Sequence, residues 1–101
     1  MTVVVTRDVA PRVRGFLASC MLEIGPGVYT APRMTPAVRE RVWAVLEEWF
    51  GVLGGTSVVM TWRDASMPGG QRVAVLGSPP CELTLHDGIH LVKKPVEPIN
   101  P

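Results

Sequence analysis

The spacing of hydrophobic residues along the chain predicts an alternation of strands and helices. A β-branched run at residues 2–6 does not alternate with polar positions, which is typical of a central strand that is buried on both faces. Apolar residues then recur at helical spacing from residue 13 to residue 24, which predicts a first helix that Pro11 opens and the glycines at 25 and 27 close. Residues 27–30 follow as a short strand.

A second helix is predicted between an N-cap and a glycine cluster. Thr35 and Pro36 supply the N-cap and a first-turn proline, and glycines at 51, 54 and 55 end the helix. One apolar stripe predicts its core face, formed by Val38, Val42, Val45 and Trp49. Trp43 and Phe50 lie beside this stripe, so they either widen the core face, which we favour, or form an exposed surface that binds a partner.

The second half of the chain predicts an antiparallel hairpin. Residues 57–63 alternate, with Val58, Met60 and Trp62 on one face, and residues 71–76 form the next strand after a Pro-Gly-Gly loop. This alternation places Trp62 in the core, so we reject it as a base-stacking residue, and Tyr29 with it. Residues 89–92 are expected to add a short edge strand.

The order strand, helix, short strand, helix, strand, strand predicts an α+β fold. We expect a ferredoxin-like plait in which two helices cover one face of a mostly antiparallel sheet. Residues 1–92 are expected to form one domain, and residues 93–101 a proline-rich tail that is extended or disordered. The other face of the sheet needs a cover, and a second copy related by a twofold axis is the simplest one, which predicts a homodimer.

The charge of the chain is balanced overall but uneven locally. The net charge is +1 across 101 residues, so bulk charge does not identify a nucleic-acid-binding protein. Arg7, Arg12 and Arg14 nevertheless cluster where the first strand ends and the first helix begins, with Asp8 as the only acidic residue among them. Because free N–H groups and the dipole of a helix start also favour anions, we predict phosphate contacts there. The alternative is that these are solvated surface arginines.

Cysteine content and hydropathy limit the compartment. Cys20 and Cys81 are too few for a disulfide framework. Cys81, His86 and His90 could be three zinc ligands, but no fourth ligand is evident, so we reject a zinc site. No apolar run approaches the roughly 20 residues that span a bilayer, and no signal peptide is evident. We therefore expect a cytoplasmic protein without a membrane partner.

Five segments in this order resemble one known family. They are VVVTRDVAPRVRGFL, LEIGPGVYTAP, VRERVWAVLEEW, SVVMTW and DGIHLV. From residue 3 to about residue 92 the chain resembles the CRISPR-associated Cas-two family, in its Cascade-type (subtype I-E) branch. The resemblance implies a ferredoxin-like homodimer that bridges two dimers of the Cas-one integrase during spacer acquisition. It also implies that Arg12 and Arg14 bind the backbone of the double-stranded prespacer DNA.

The resemblance departs from its pattern in one loop. Where related chains carry two arginines after the fourth strand, this chain has Ser-Pro-Pro-Cys at residues 78–81, so that contact is expected to be absent or moved. We further expect the segment from Ile89 onward, including Leu91, to pair with another chain, because the prolines that follow prevent a central strand.

A nuclease is the main alternative function. Other branches of the family show metal-dependent nuclease activity attributed to an aspartate at the end of the first strand, and Asp8 lies near that place. The resemblance thus implies an endonuclease acting on DNA or RNA, with Asp8 as catalytic residue and Mg²⁺ ligand. One carboxylate per chain is a poor metal site, so we favour ion pairing of Asp8 with Arg12, or loop capping. A ferredoxin-like regulatory dimer is the third hypothesis.

Overall fold

The computed structural model describes residues 1–78, 82–86 and 89–93, with side chains described through residue 78. The elements in chain order are β1 (Thr2–Arg7), α1 (Pro11–Cys20), β2 (Leu22–Gly25), β3 (Val28–Ala31), α2 (Pro36–Leu53), β4 (Ser57–Arg63), β5 (Gln71–Gly77), β6 (Glu82–His86) and β7 (Ile89–Lys93). The proline-rich tail predicted at residues 93–101 lies almost wholly outside the described residues. Within the described part, neither helix is long and apolar enough to cross a membrane.

The strands form an antiparallel sheet of ferredoxin-like order. Five strands are arranged as β2-β3-β1-β4-β5, and β6 and β7 form a separate two-stranded sheet. All described pairings are antiparallel. The first four strands and both helices make the predicted plait, and β5 extends it at one edge. The α+β prediction is therefore confirmed, whereas β6 was not predicted.

The core lies between the helices and one face of the sheet. Tyr29, Val4 and Met60 are directly opposite one another on β3, β1 and β4, and none of the three is exposed. The helices cover this row with buried residues of α1 and α2, namely Val13, Leu17, Val42 and Leu46. Burying each large aliphatic side chain contributes about 1.5–3 kcal/mol, so the two helices and the central strands stabilise one another.

The prediction that the first helix continues to residue 24 is wrong. The helix ends at Cys20, and the Met21 N–H donates to the Leu17 carbonyl at 2.8 Å. The next residues form β2, which pairs with β3 as a hairpin. The apolar residues at 20 and 24 fit helical spacing, but Leu22 and Ile24 also alternate with a glutamate at strand spacing. Short apolar runs leave these two readings unresolved, and pairing with β3 decides between them.

The core face of α2 differs from the predicted stripe at Val38 and at Val45, which is half-buried and outside the core cluster, whereas Leu46, which was not predicted, is fully buried. Val38 is 43% exposed, and the buried residues of the helix are Val42 and Leu46. Val38 lies in the first turn, where its N–H donates to the Thr35 hydroxyl at 3.3 Å, and the stripe turns toward the sheet only one turn later. Trp49 of the stripe packs against the core as a half-buried side chain, and so do Trp43 and Phe50 beside the stripe. The wide core face is thus confirmed.

The hairpin of β4 and β5 is closed by a polar network that the sequence analysis missed. Asp64 accepts hydrogen bonds from the Ser66 hydroxyl at 2.6 Å and from Arg72 Nε at 2.7 Å. These donors, Ser66 first and Arg72 second, lower the pKa of Asp64 to about 2. The carboxylate therefore stays ionised and keeps the loop tied to β5 until the pH falls toward that value.

The end of β5 packs so closely that its last residue must be glycine. Gly77 has a φ of +75°, and a Cβ there would collide with the Thr56 carbonyl and lie 2.8 Å from Phe50 Cζ. We predict that Gly77→Ala lowers the free energy of unfolding by about 1–2 kcal/mol for the left-handed backbone and by about 1–3 kcal/mol more for the clash. Urea denaturation measures this loss.

Gly70→Ala is the matched control for this prediction. Gly70 has a φ of +72°, but a Cβ there would meet nothing within 4 Å. Gly70→Ala should lower the free energy of unfolding only by the contribution of the left-handed backbone, about 1–2 kcal/mol. Equal losses in the two variants would show that the contact with Phe50 and Thr56 does not constrain this position.

Candidate nucleic-acid interface

The junction between β1 and α1 brings together most of the predicted site residues. Arg7 is the last residue of β1, and Arg14 lies in the first turns of α1, which Pro11 opens. Both arginines and Asp8 are exposed. They line one groove of about 280 Å³, together with Val9 and residues of the β2–β3 turn. The end of a central strand and the start of a helix thus place two guanidinium groups and one carboxylate around a single opening.

Arg12 lies apart from this groove. Its guanidinium carbon is 4.9 Å from the centroid of the Trp49 ring, and Phe16 meets the same ring edge-on at 5.3 Å between centroids. Among the residues that the structure describes, Arg12 makes no ion pair with Asp8, so that part of our expectation is wrong. An arginine stacked on an aromatic face keeps its N–H edges available for hydrogen bonds. Arg12 is thus oriented by α2 rather than by Asp8.

Asp8 fixes the loop between β1 and α1. It has a φ of +52°, a left-handed conformation that aspartate tolerates better than most residues. Its Oδ2 accepts a hydrogen bond from the Thr56 hydroxyl at 3.0 Å, and the Thr56 N–H donates to the Arg7 carbonyl at 3.1 Å. Thr56 precedes β4 and lies 48 residues away, so local sequence gave no signal for this partner. The contact ties the end of β1 to the start of β4.

The carboxylates of the described residues do not converge. No group of three or more histidine, cysteine, aspartate or glutamate side chains within residues 1–78 is arranged to hold a metal ion. Asp8 is the one acidic residue in its groove, and one of its oxygens is engaged by Thr56. Mg²⁺ prefers several oxygen ligands, so an ion at Asp8 would need a second carboxylate, phosphate oxygens or water.

A second groove lies on the other side of Arg14, and the sequence analysis missed it. It has a volume of about 250 Å³, and its polar lining residues are Arg14, Glu23 and Tyr29. Glu23 on β2 lies directly opposite Tyr29 on β3. The buried hydroxyl of Tyr29 has no hydrogen-bond partner among the described residues. Burial chiefly raises the pKa of Tyr29, Glu23 raises it further and Arg14 lowers it, so the phenol is neutral at physiological pH.

The remaining predicted residues lie on β7. Ile89 and Leu91 pair with His86 and Thr84 on β6. They therefore belong to the two-stranded sheet and not to the five-stranded sheet that carries Arg7. The loop at residues 79–81, where we expected an arginine contact to be absent, lies outside the described residues. The rejection of Tyr29 as a base-stacking residue agrees with its burial in the core.

One comparison with known protein families bears on this chain. A family model described as CRISPR-associated protein (Cas_Cas2CT1978) matches residues 1–91. The match spans both helices, the five-stranded sheet and the junction that carries the arginines and Asp8.

The role of Asp8 in its loop can be separated from its charge. We predict that Asp8→Ala lowers the free energy of unfolding by about 1–2 kcal/mol, because alanine loses the Thr56 contact and is unfavourable at positive φ. Asp8→Asn keeps an acceptor oxygen and tolerates this conformation, so it should change stability by less than about 0.5 kcal/mol. Urea denaturation of both variants is the measurement, and equal losses would mean that Asp8 has no positioning role.

Proposed function

Because this chain belongs to the Cas2 family of CRISPR-associated proteins, we propose that it is a cytoplasmic, homodimeric adaptor of spacer acquisition. In this role it holds double-stranded prespacer DNA by its backbone and bridges two dimers of the Cas-one integrase. The five segments quoted above favour the subtype I-E branch. The single observation that carries the DNA-binding part is the groove at the β1–α1 junction, which Arg7 and Arg14 line.

The arginines suit phosphates rather than bases. Arg7 and Arg14 present two guanidinium groups around one opening, and Arg12 is held nearby against Trp49. Guanidinium groups pair with phosphate oxygens through several N–H donors. Contacts to phosphates carry no sequence information. With a net charge of only +1, the attraction must be local. Such a surface would bind any duplex and depend strongly on salt.

The second copy would cover the open face of the sheet. Val28, Val5, Val59 and Val75 lie opposite one another on β3, β1, β4 and β5, on the face that the helices leave free. Val5 is 43% exposed and Val75 is 39% exposed. An apolar row across four strands is an unfavourable surface in water. A twofold-related copy would pair this row with itself and remove both from solvent.

The two-stranded sheet is a second contact surface in this proposal. A pair of strands is at best marginally stable in water without a surface to pack on, and within the chain β7 contacts β5. We propose that β7, with Ile89 and Leu91, contacts another chain, either the second copy or the integrase. The antiparallel pairing of β7 with β6 leaves the backbone of one β7 edge outside that pairing, and strand addition uses such an edge.

A metal-dependent endonuclease is the second candidate function. Asp8 is exposed in the same groove as Arg7 and Arg14, so a bound phosphate would lie near a carboxylate. Two Asp8 residues across a dimer could hold Mg²⁺, which would activate water or stabilise a leaving oxygen. The adaptor is favoured because Asp8 is engaged by Thr56 and because each groove holds a single carboxylate. A regulatory dimer rests on the fold alone.

The dimer can be tested on the open face of the sheet. We predict that Val5→Lys shifts the protein from dimer to monomer in sedimentation velocity, because an ammonium group would be buried against its own copy. Val52→Lys is the matched control, since Val52 is 80% exposed near the end of α2, and it should remain dimeric. Wild-type protein that is monomeric at micromolar concentration would rule out the homodimer.

The phosphate contacts can be counted from the salt dependence of binding. We predict that replacing Arg12 and Arg14 with alanine weakens binding to every duplex alike and flattens the slope of log K against log salt by about 0.9 per lost contact. Arg41→Ala removes another exposed arginine, from α2, and should leave the slope unchanged. Fluorescence anisotropy with two unrelated duplexes gives both quantities. An unchanged slope in the double variant would contradict the interface.

The same titration separates the adaptor from the nuclease. With Mg²⁺ or Mn²⁺ added, the adaptor binds duplex DNA without cleaving DNA or RNA, and Asp8→Asn binds as tightly as wild type or slightly more tightly. If the wild type cleaves, and Asp8→Asn abolishes cleavage while the dimer and the fold persist, then the adaptor-only function is wrong and Asp8 is a metal ligand.

A further inference from the structure

Arg14 lies between two different environments. On one side it shares a groove with Arg7 and Asp8, and on the other side it shares a groove with Glu23 and Tyr29. The first groove is the phosphate site of the proposed function. The second contains a carboxylate that has no part in that function. A single exposed guanidinium group therefore borders both a phosphate site and the exposed carboxylate of Glu23, with which it forms no ion pair in the structure.

Glu23 is held in place by the pairing of β2 with β3. It lies directly opposite Tyr29, so both side chains are on the face of the sheet that carries the core and α1. Leu22 and Ile24 alternate with it and are 66% and 62% exposed; Glu23 is itself exposed and lines a groove with residues of α1. An acidic residue at this register position is directed toward the helix that bears Arg14.

The hydroxyl of Tyr29 belongs to a residue that lines the same groove as Glu23 and Arg14, and it has no hydrogen-bond partner among the described residues. The side chain is fully buried. A buried hydroxyl without a partner is unfavourable. Because a phenol can donate to a carboxylate and accept from a guanidinium group, small side-chain movements of Glu23 and Arg14 would satisfy it from both sides.

We propose that Glu23, positioned by the Tyr29 hydroxyl, is an internal carboxylate partner of Arg14 and competes with nucleic-acid phosphate for it. The inference rests on the proposed function, because it assigns the phosphate contact to Arg14. In this proposal a small side-chain movement brings Arg14 to Glu23 in the free protein, and a DNA phosphate draws Arg14 to the Arg7 side. Displacing Glu23 costs the same free energy for every ligand that engages Arg14, so Glu23 weakens phosphate binding at this arginine.

A double-mutant cycle tests whether Glu23 acts through Arg14. Glu23→Gln should tighten duplex DNA binding about three- to fivefold at low salt, with a smaller effect as salt screens the charge. In the Arg14→Ala background the same substitution should change affinity by less than about twofold. Glu40→Gln, which removes another exposed carboxylate from α2, is the control and should have no such effect. Equal effects of Glu23→Gln in both backgrounds would mean that Glu23 repels DNA directly and not through Arg14, which would overturn the proposal.

Tyr29→Phe tests the positioning role of the hydroxyl. It should tighten DNA binding in the same direction as Glu23→Gln but by a smaller factor, because Glu23 loses its positioning contact and keeps its charge. The variant loses one hydrogen bond in this proposal, so it should stay folded with a slightly lower melting temperature. Weaker DNA binding in a folded Tyr29→Phe protein would contradict the proposal.

A measurement without DNA separates this inference from the proposed function. In ¹⁵N spectra of arginine side chains, the Arg14 Nε–Hε group should be protected from exchange in free wild-type protein. This protection should be lost in Glu23→Gln and kept in Glu40→Gln. If protection behaves so but the protein does not bind duplex DNA, the proposed function fails and the Glu23–Arg14 contact stands. If the protein binds DNA and protection is absent in the wild type, the inference is wrong.

Discussion

The pairing of β1 on both of its edges is the constraint on which the rest of the structure depends. β1 is hydrogen-bonded to β3 on one side and to β4 on the other, so its register fixes the three central strands together. Val4 lies on the core face and Val5 on the open face. A slip of one residue would exchange these faces and turn every side chain of the strand over. The core and the proposed dimer surface are therefore two consequences of one register.

The same register determines where the arginines lie. β1 ends with Arg7 opposite Ser57 on β4, and the next residue, Asp8, is held by Thr56. Gly55 packs closely between this loop and Phe50. A Cβ at Gly55 would lie 3.1 Å from both the Asp8 carbonyl oxygen and Phe50 Cε2. The loop that carries the candidate site is thus fixed by packing at the ends of α2 and β5. Residues that touch no ligand set the direction in which Arg7 and Asp8 point.

Local patterns in the sequence predicted the elements whose signals are unambiguous. The central position of β1, the cap of α2 at Thr35 and the alternation of β4 each match the structure, whereas burial of β1 on both faces does not, because Val5 is 43% exposed. The local patterns failed for β2, where four residues satisfy helical and strand spacing equally. They also failed for β6, which was not predicted. Tertiary pairing decides such segments, and the spacing of apolar residues in a single chain does not contain that information. The arginine cluster was found because its members are neighbours in sequence. Thr56, Trp49 and Glu23 were not, because they reach the site only through the fold.

Some arginines of this protein have internal partners, whereas Arg7 and Arg14 make no ion pair with another described residue. Arg12 stacks on Trp49, Arg39 lies 4.4 Å from the centroid of Trp62, and Arg72 pairs with Asp64. A phosphate at Arg12 therefore meets a guanidinium group that is oriented in advance, which lowers the side-chain entropy lost on binding. Where the internal partner is an aromatic ring, the phosphate adds to it without displacement. Where the partner is a carboxylate, as we propose for Glu23 and Arg14, the phosphate must replace it. The two kinds of partner would divide the interface into Arg12, which is oriented in advance and free to bind, and Arg14, which must first leave a carboxylate.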